Sequence, residues 1–198
     1  MSEAASVGVD GTRAFAAQKR APVRYDRVAS TLHWLVALLV LVMLALGFSM
    51  VEVPRQTPMR GLLFNLHKSI GLVVLGLMIL RTAWRLTHRP PPLVGIRAVN
   101  ARLASAVHLL LYALLLAQPI AGYVASSLGQ YGVAFFGLPL PDWTAPNAGL
   151  RETFLIVHRI VARLIVGLIL LHLAGTLLHL AQGRSDIVRR ILPWRGKI

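Results

Sequence analysis

The sequence predicts an all-α integral membrane protein, a four-helix bundle running up, down, up and down. Three observations carry that expectation: four apolar blocks of bilayer length, basic residues gathered on alternate links, and histidines recurring at two depths. Of the 198 residues, 56% are hydrophobic and 14% charged, whereas a soluble domain carries about 25% charged residues. The mean hydropathy is +0.66.

A helix rises ~1.5 Å per residue, so about 20 apolar residues cross a hydrocarbon layer of ~30 Å. Blocks 28–53, 62–84, 103–128 and 154–181 meet that length. Residues 1–27, ahead of the first block, lack the apolar core of a signal peptide and read as a mobile cytoplasmic tail. The first span carries His33 near its start, the second His67 and Lys68 near its start. The link "LTHRPPPL" holds His88, an ordinary interfacial hydrogen-bonding position. His108 lies near the start of the third span. The segment "YGVAFFGLPLPDWTAPNAGLRET" is too short in its apolar run, and too broken by Pro139 and Pro141, for a fifth span; it reads as an interfacial loop. The fourth span carries His158, Arg159, Arg163, His172 and His179, and residues 193–198 form a second cytoplasmic tail beyond a 28–192 domain.

The net charge of +14 is a topology signal. Arg13, Lys19, Arg20, Arg24 and Arg27 precede span one; Arg81, Arg85, Arg89, Arg97 and Arg102 surround the second link; Arg184, Arg189, Arg190, Arg195 and Lys197 follow span four. Fifteen of the 21 basic residues therefore share one side, which the positive-inside rule makes cytoplasmic, with both termini there. No basic and aromatic recognition module accompanies the charge, so nucleic acid is excluded as a partner. The lipid bilayer is the partner the composition demands. The chain has no cysteine, which excludes disulfides, iron–sulfur clusters and c-type haem attachment.

The alternating spans bring His33 and His172 to one inner depth, and His67 and His158 to one outer depth. His158 and His172 are fourteen residues apart, close to four turns, so they share a helix face ~21 Å apart along the axis. Two imidazoles at each of two levels suit two haem b groups stacked within the bundle, each iron held by two neutral imidazoles. Such ligation leaves no open position and favours electron transfer over oxygen binding. Zinc suits the pattern less well, because the levels are too far apart for one site and lack thiolates or carboxylates. Met43, Met50 and Met78 read as packing residues. Gly71, Gly76, Gly122, Gly167 and Gly175 let backbones approach the macrocycles or simply pack helices. A histidine relay in a proton or ion transporter without haem is the rival from another class.

The stretches "RYDRVASTLHWLVALLVLVMLALGF", "LHKSIGLVVLGLMILRTAWRL", "HLLLYALLLAQPIAGYVASS" and "VHRIVARLIVGLILLHLAGTLLHL" resemble the prokaryotic cytochrome b561 family over nearly all of residues 24–192. The resemblance implies two bis-histidine haem b groups, with His33, His67, His158 and His172 at the ligand positions. It implies ubiquinone as a partner beside an unidentified redox donor or acceptor, in a bacterial inner membrane. Some members oxidise superoxide at the outer face, and Arg60, Lys68, Arg151, Arg159 and Arg163 would offer an anion-attracting surface there. Arg159 and Arg163 either snorkel to the interface or pair with haem propionates; Lys68 either does the latter or faces headgroups. His108 and His179 either border an inner quinone site or make interfacial hydrogen bonds. One departure is the tail "LAQGRSDIVRR" after His179, which lacks a second adjacent histidine common in relatives.

Overall fold

The computed structural model of the chain describes residues 24–88, 98–141 and 143–192. Four helices are long and apolar enough to cross a membrane: α1 (Arg27–Glu52), α2 (Pro58–Thr87), α3 (Ala98–Ser127) and α4 (Ala148–Ala181). Between α3 and α4 lies a small hairpin, β1 (Ala134–Phe135) with β2 (Leu138–Pro139), and a short α5 (Ser185–Arg189) follows α4. Residues 1–23 and 193–198, most of the two expected tails, lie outside the described residues.

The helices outrun the apolar blocks at their polar ends. Hydropathy marks only the lipid-crossing part, whereas the backbone stays helical until something caps it. Asp26 caps α1 by accepting from the Ala29 N–H at 2.8 Å, Pro58 opens α2 where its missing N–H costs nothing, and the Asn147 side chain accepts from the Leu150 N–H at 3.0 Å to start α4. Inside α3, Pro119 removes a backbone donor and interrupts the ladder.

Sequential helices pack as neighbours: α1 on α2, α2 on α3, and α3 on α4. The core lies between α1 and α2, where Val36, Val40, Val74 and Met78 are buried against Met43, Leu44, Tyr112 and Ile169. Leu38, Leu41, Leu109 and Leu170 point outward, each more than half exposed, as side chains that face lipid do. No Cα of α4 comes within 8 Å of a Cα of α1 or α2. α4 therefore faces α1 and α2 across an interhelical slot spanned by side chains, Ile169 among them.

The segment expected as an interfacial loop is indeed no span, and its hairpin is docked onto α2. Phe136 (φ 49°) and Gly137 (φ 90°) form its two-residue turn, the positive-φ pattern that fits a twisted hairpin. A phenylalanine is strained there. Its N–H donates to the Oγ of fully buried Ser69 at 2.8 Å, which holds the turn in place. The Lys68 ammonium donates to the Gly132 carbonyl at 3.1 Å beside it.

Candidate cofactor site in the interhelical slot

The helix register delivers four imidazoles into the slot in two pairs. His33 of α1 meets His172 of α4 with ring centroids 6.4 Å apart and planes at 68°. His67 of α2 meets His158 of α4 at 6.2 Å and 77°. Since the flanking backbones stay apart, each pair is the bridge across the slot at its level. His108 of α3 flanks the inner pair, 5.2 Å from His172. His179 lies two turns further along α4, and its Nδ1 is buried without a hydrogen-bond partner. His88 stacks on Trp84 at 3.9 Å, away from both pairs.

The outer pair has a shaped seat. The Nδ1–H of His158 donates to the Gln118 backbone carbonyl at 3.0 Å, and the Gln118 amide returns a bond to the His158 carbonyl at 3.0 Å. A Cβ added at Gly122 would stand 2.9 Å from the His158 ring, so only glycine lets the imidazole lie this close to α3. At Gly47 the approach is looser: an added Cβ would sit 3.3 Å from the His67 ring, which would have to give by a few tenths of an ångström. No protein atom lies within 4 Å of such a Cβ at Gly76, Gly167 or Gly175.

The inner pair is set differently. An Arg81 guanidinium nitrogen lies 2.9 Å from Nδ1 of His33, and because arginine only donates, that nitrogen accepts. Arg81 and Arg85 both lie over the Tyr112 ring, at 5.1 and 5.3 Å. At the outer end, Arg159 is ion-paired with Glu152 at 2.7 Å, both about half exposed. Arg163 is exposed on α4. Arg60 donates to the Val51 and Val53 carbonyls at the end of α1.

A bis-imidazole haem fits these residues. Two imidazoles sharing one iron, each with a nitrogen–metal bond of roughly 2.0 Å and about 1.1 Å from that nitrogen to its ring centre, would have centroids up to about 6.2 Å apart. The observed 6.4 and 6.2 Å lie close to that span, while His108 and His172 are closer together, at 5.2 Å. The hydrogen bond on His158 Nδ1 leaves its Nε2 lone pair free for a metal. The buried Nδ1 of His67 has no partner, which marks a site not satisfied by protein alone. Among the described residues no group of three or more His, Cys, Asp or Glu could hold a lone metal ion.

Arg81, Gln118, Tyr112 and Gly47 are the site residues that sequence reading overlooked. Arg81 counted only as a topology marker, although an arginine inside the end of an apolar helix is itself a signal. Gln118 beside Pro119 in an otherwise apolar run was the other available one.

The model of the family described as prokaryotic cytochrome b561 matches residues 24–194. Cytochrome b561 homolog 2 of Escherichia coli K12 is 32% identical over 173 residues, covering 86% of this chain and 92% of that protein. The probable superoxide oxidase CybB of Yersinia pestis is 29% identical over 174 residues, 86% and 96% of the two chains. Cytochrome b561 homolog 1 of Escherichia coli K12 is 24% identical over 184 residues, 87% and 98%.

Proposed function

The chain belongs to the prokaryotic cytochrome b561 family, a multi-pass bacterial membrane protein of transmembrane electron transfer, and on that premise we propose that it carries two haem b groups and couples them to the quinone pool. His33 and His172 would hold the inner haem and His67 and His158 the outer one. Bound haem would supply a one-electron iron couple, held by these histidines. The protein residues do the rest. Gln118 orients His158 and fixes its tautomer, and Gly47 and Gly122 admit the rings. Both termini face the cytoplasm in this proposal, with the electron path inside residues 28–192. His108 and His179 border the inner end, where an imidazole donates to a quinone oxygen or relays its protons. Lys68, Arg159 and Arg163 are the cations nearest the outer histidines in sequence, and propionate contacts fall to them.

The single observation that carries the proposal is the pair of matched imidazole separations across a slot that no backbone contact closes. A pyridine haemochrome assay on loaded protein should return two haems per chain. His33→Ala and His172→Ala should remove one spectral component, His67→Ala and His158→Ala the other. One haem per chain, or His33 and His67 variants losing the same component, overturns the scheme. A colourless protein with intact helices would favour the histidine relay.

A second reading, superoxide oxidation at the outer face with delivery to ubiquinone, draws on the 29% identical relative named a probable superoxide oxidase. It also draws on the outer cations Lys68 and Arg151, and superoxide-driven reduction of the loaded protein is its direct test.

A further inference from the structure

The two histidine pairs sit in opposite electrostatic surroundings. At the outer pair, His158 gives its Nδ1–H to a neutral carbonyl; such a bond makes the ring a more basic ligand and favours the ferric state. At the inner pair, the Arg81 guanidinium stands 2.9 Å from the His33 ring. Arg81 is half-buried and cannot lose its proton. Among the described residues the ion pair formed is Arg159 with Glu152, so no carboxylate neutralises Arg81. Tyr112 holds Arg81 from its ring face and brings Arg85, a second cation, alongside.

We propose that Arg81 is a positioning and tuning residue whose charge lifts the reduction potential of the inner haem above that of the outer one, so that electrons run inward. A ferric centre is one unit more positive than a ferrous one, so a fixed cation nearby opposes oxidation. Net charge and hydrogen bonding at the ligands are the protein's means of setting such potentials. Iron held at Nε2 of His33 would put the ring proton on Nδ1, so Arg81 would no longer donate to that nitrogen; the guanidinium would stay near the ring as a fixed charge that acts through space. In the step itself one electron leaves the outer haem, which is oxidised, and enters the inner haem, which is reduced; no bond to the protein breaks and no proton moves. This inference rests on the two-haem reading above.

Spectroelectrochemical titration of the haem-loaded protein tests it. The His33→Ala variant identifies the inner component by its absence. The wild type should titrate as two one-electron components with the inner one higher. Arg81→Gln should lower the inner component by at least a tenfold change in the interhaem electron equilibrium, about 59 mV for a one-electron couple, and move the outer one far less. Arg81→Lys, which keeps the charge, should retain most of the wild-type value. Arg85→Gln, which touches neither histidine pair, should lower the inner component by a smaller step. It decides the matter if Arg81→Gln fails to bind the inner haem. An inner potential at or below the outer one in the wild type, equal shifts of both components, or Arg81→Lys behaving as Arg81→Gln overturns the proposal. One haem per chain would instead overturn the two-haem reading beneath it.

Discussion

Gly122→Ala adds one methyl group where α3 touches the His158 ring, and its consequence can be worked out from the coordinates. The new Cβ would stand 2.9 Å from Cε1 and 3.1 Å from Nδ1 of His158. Carbon atoms rest at about 3.5–4.0 Å, so the ring must retreat by roughly half an ångström or more. The ring is tethered on that side, because its Nδ1–H donates to the Gln118 carbonyl at 3.0 Å. Stretching that bond past its useful range forfeits about 0.5–1.5 kcal/mol, and overpacking a filled site costs about 1–3 kcal/mol. Alanine returns at most ~1 kcal/mol through helix propensity. The net is about 1–3 kcal/mol against the seated ring, or roughly 5–150-fold weaker retention of the outer haem, since each 1.4 kcal/mol is tenfold. Haem transfer to excess apomyoglobin, followed at the component that His67→Ala removes, measures it. Gly61→Ala is the internal control: it is exposed in α2 and nothing lies within 4 Å of its added methyl, so it should leave haem retention unchanged and raise helix stability slightly. Wild-type outer-haem retention in Gly122→Ala, or equal damage from Gly61→Ala, would refute the reasoning.

Two further outcomes follow from charge. Asp26 is partly desolvated, which raises its pKa, but bonds from the Ala29 N–H and Trp84 outweigh that and leave it below the usual 3.8. Its contribution is therefore complete above about pH 4 and lost as pH falls through the lowered folded value. Melting temperatures in detergent of wild type and Asp26→Ala should differ by a constant amount between about pH 5 and 8 and converge below pH 4; a gap that persists unchanged to about pH 3 would contradict this. For the superoxide reading, Lys68→Gln with Arg151→Gln should slow haem reduction by superoxide and flatten its salt dependence, screened over ~10 Å at 0.1 M. Reduction by a neutral quinol should change little, and equal superoxide rates at every ionic strength would remove the steering argument.

The class of the protein was written in its one-dimensional pattern. Span length is a backbone rise multiplied by an apolar count, so it needs no partner residue. Histidine depth was equally legible, because fourteen residues return an α-helix to nearly the same face. The family signature lay in the same stretches. What the helices turn toward one another was not legible. In a soluble helix the apolar stripe shows which face is inward, but here lipid-facing Leu38 and Leu170 are as apolar as buried Val36 and Val74. Rotation about each helix axis therefore leaves little trace in hydropathy. Arg81 against His33 spans 48 positions and Gln118 against His158 spans 40, and the Ser69 hydroxyl reaches a turn 67 residues away. Only packing of the whole bundle brings those groups into contact. The tertiary structure alone thus decided which imidazole meets a carbonyl and which meets a cation, since hydrogen bonds act over ångströms and hydropathy over whole turns.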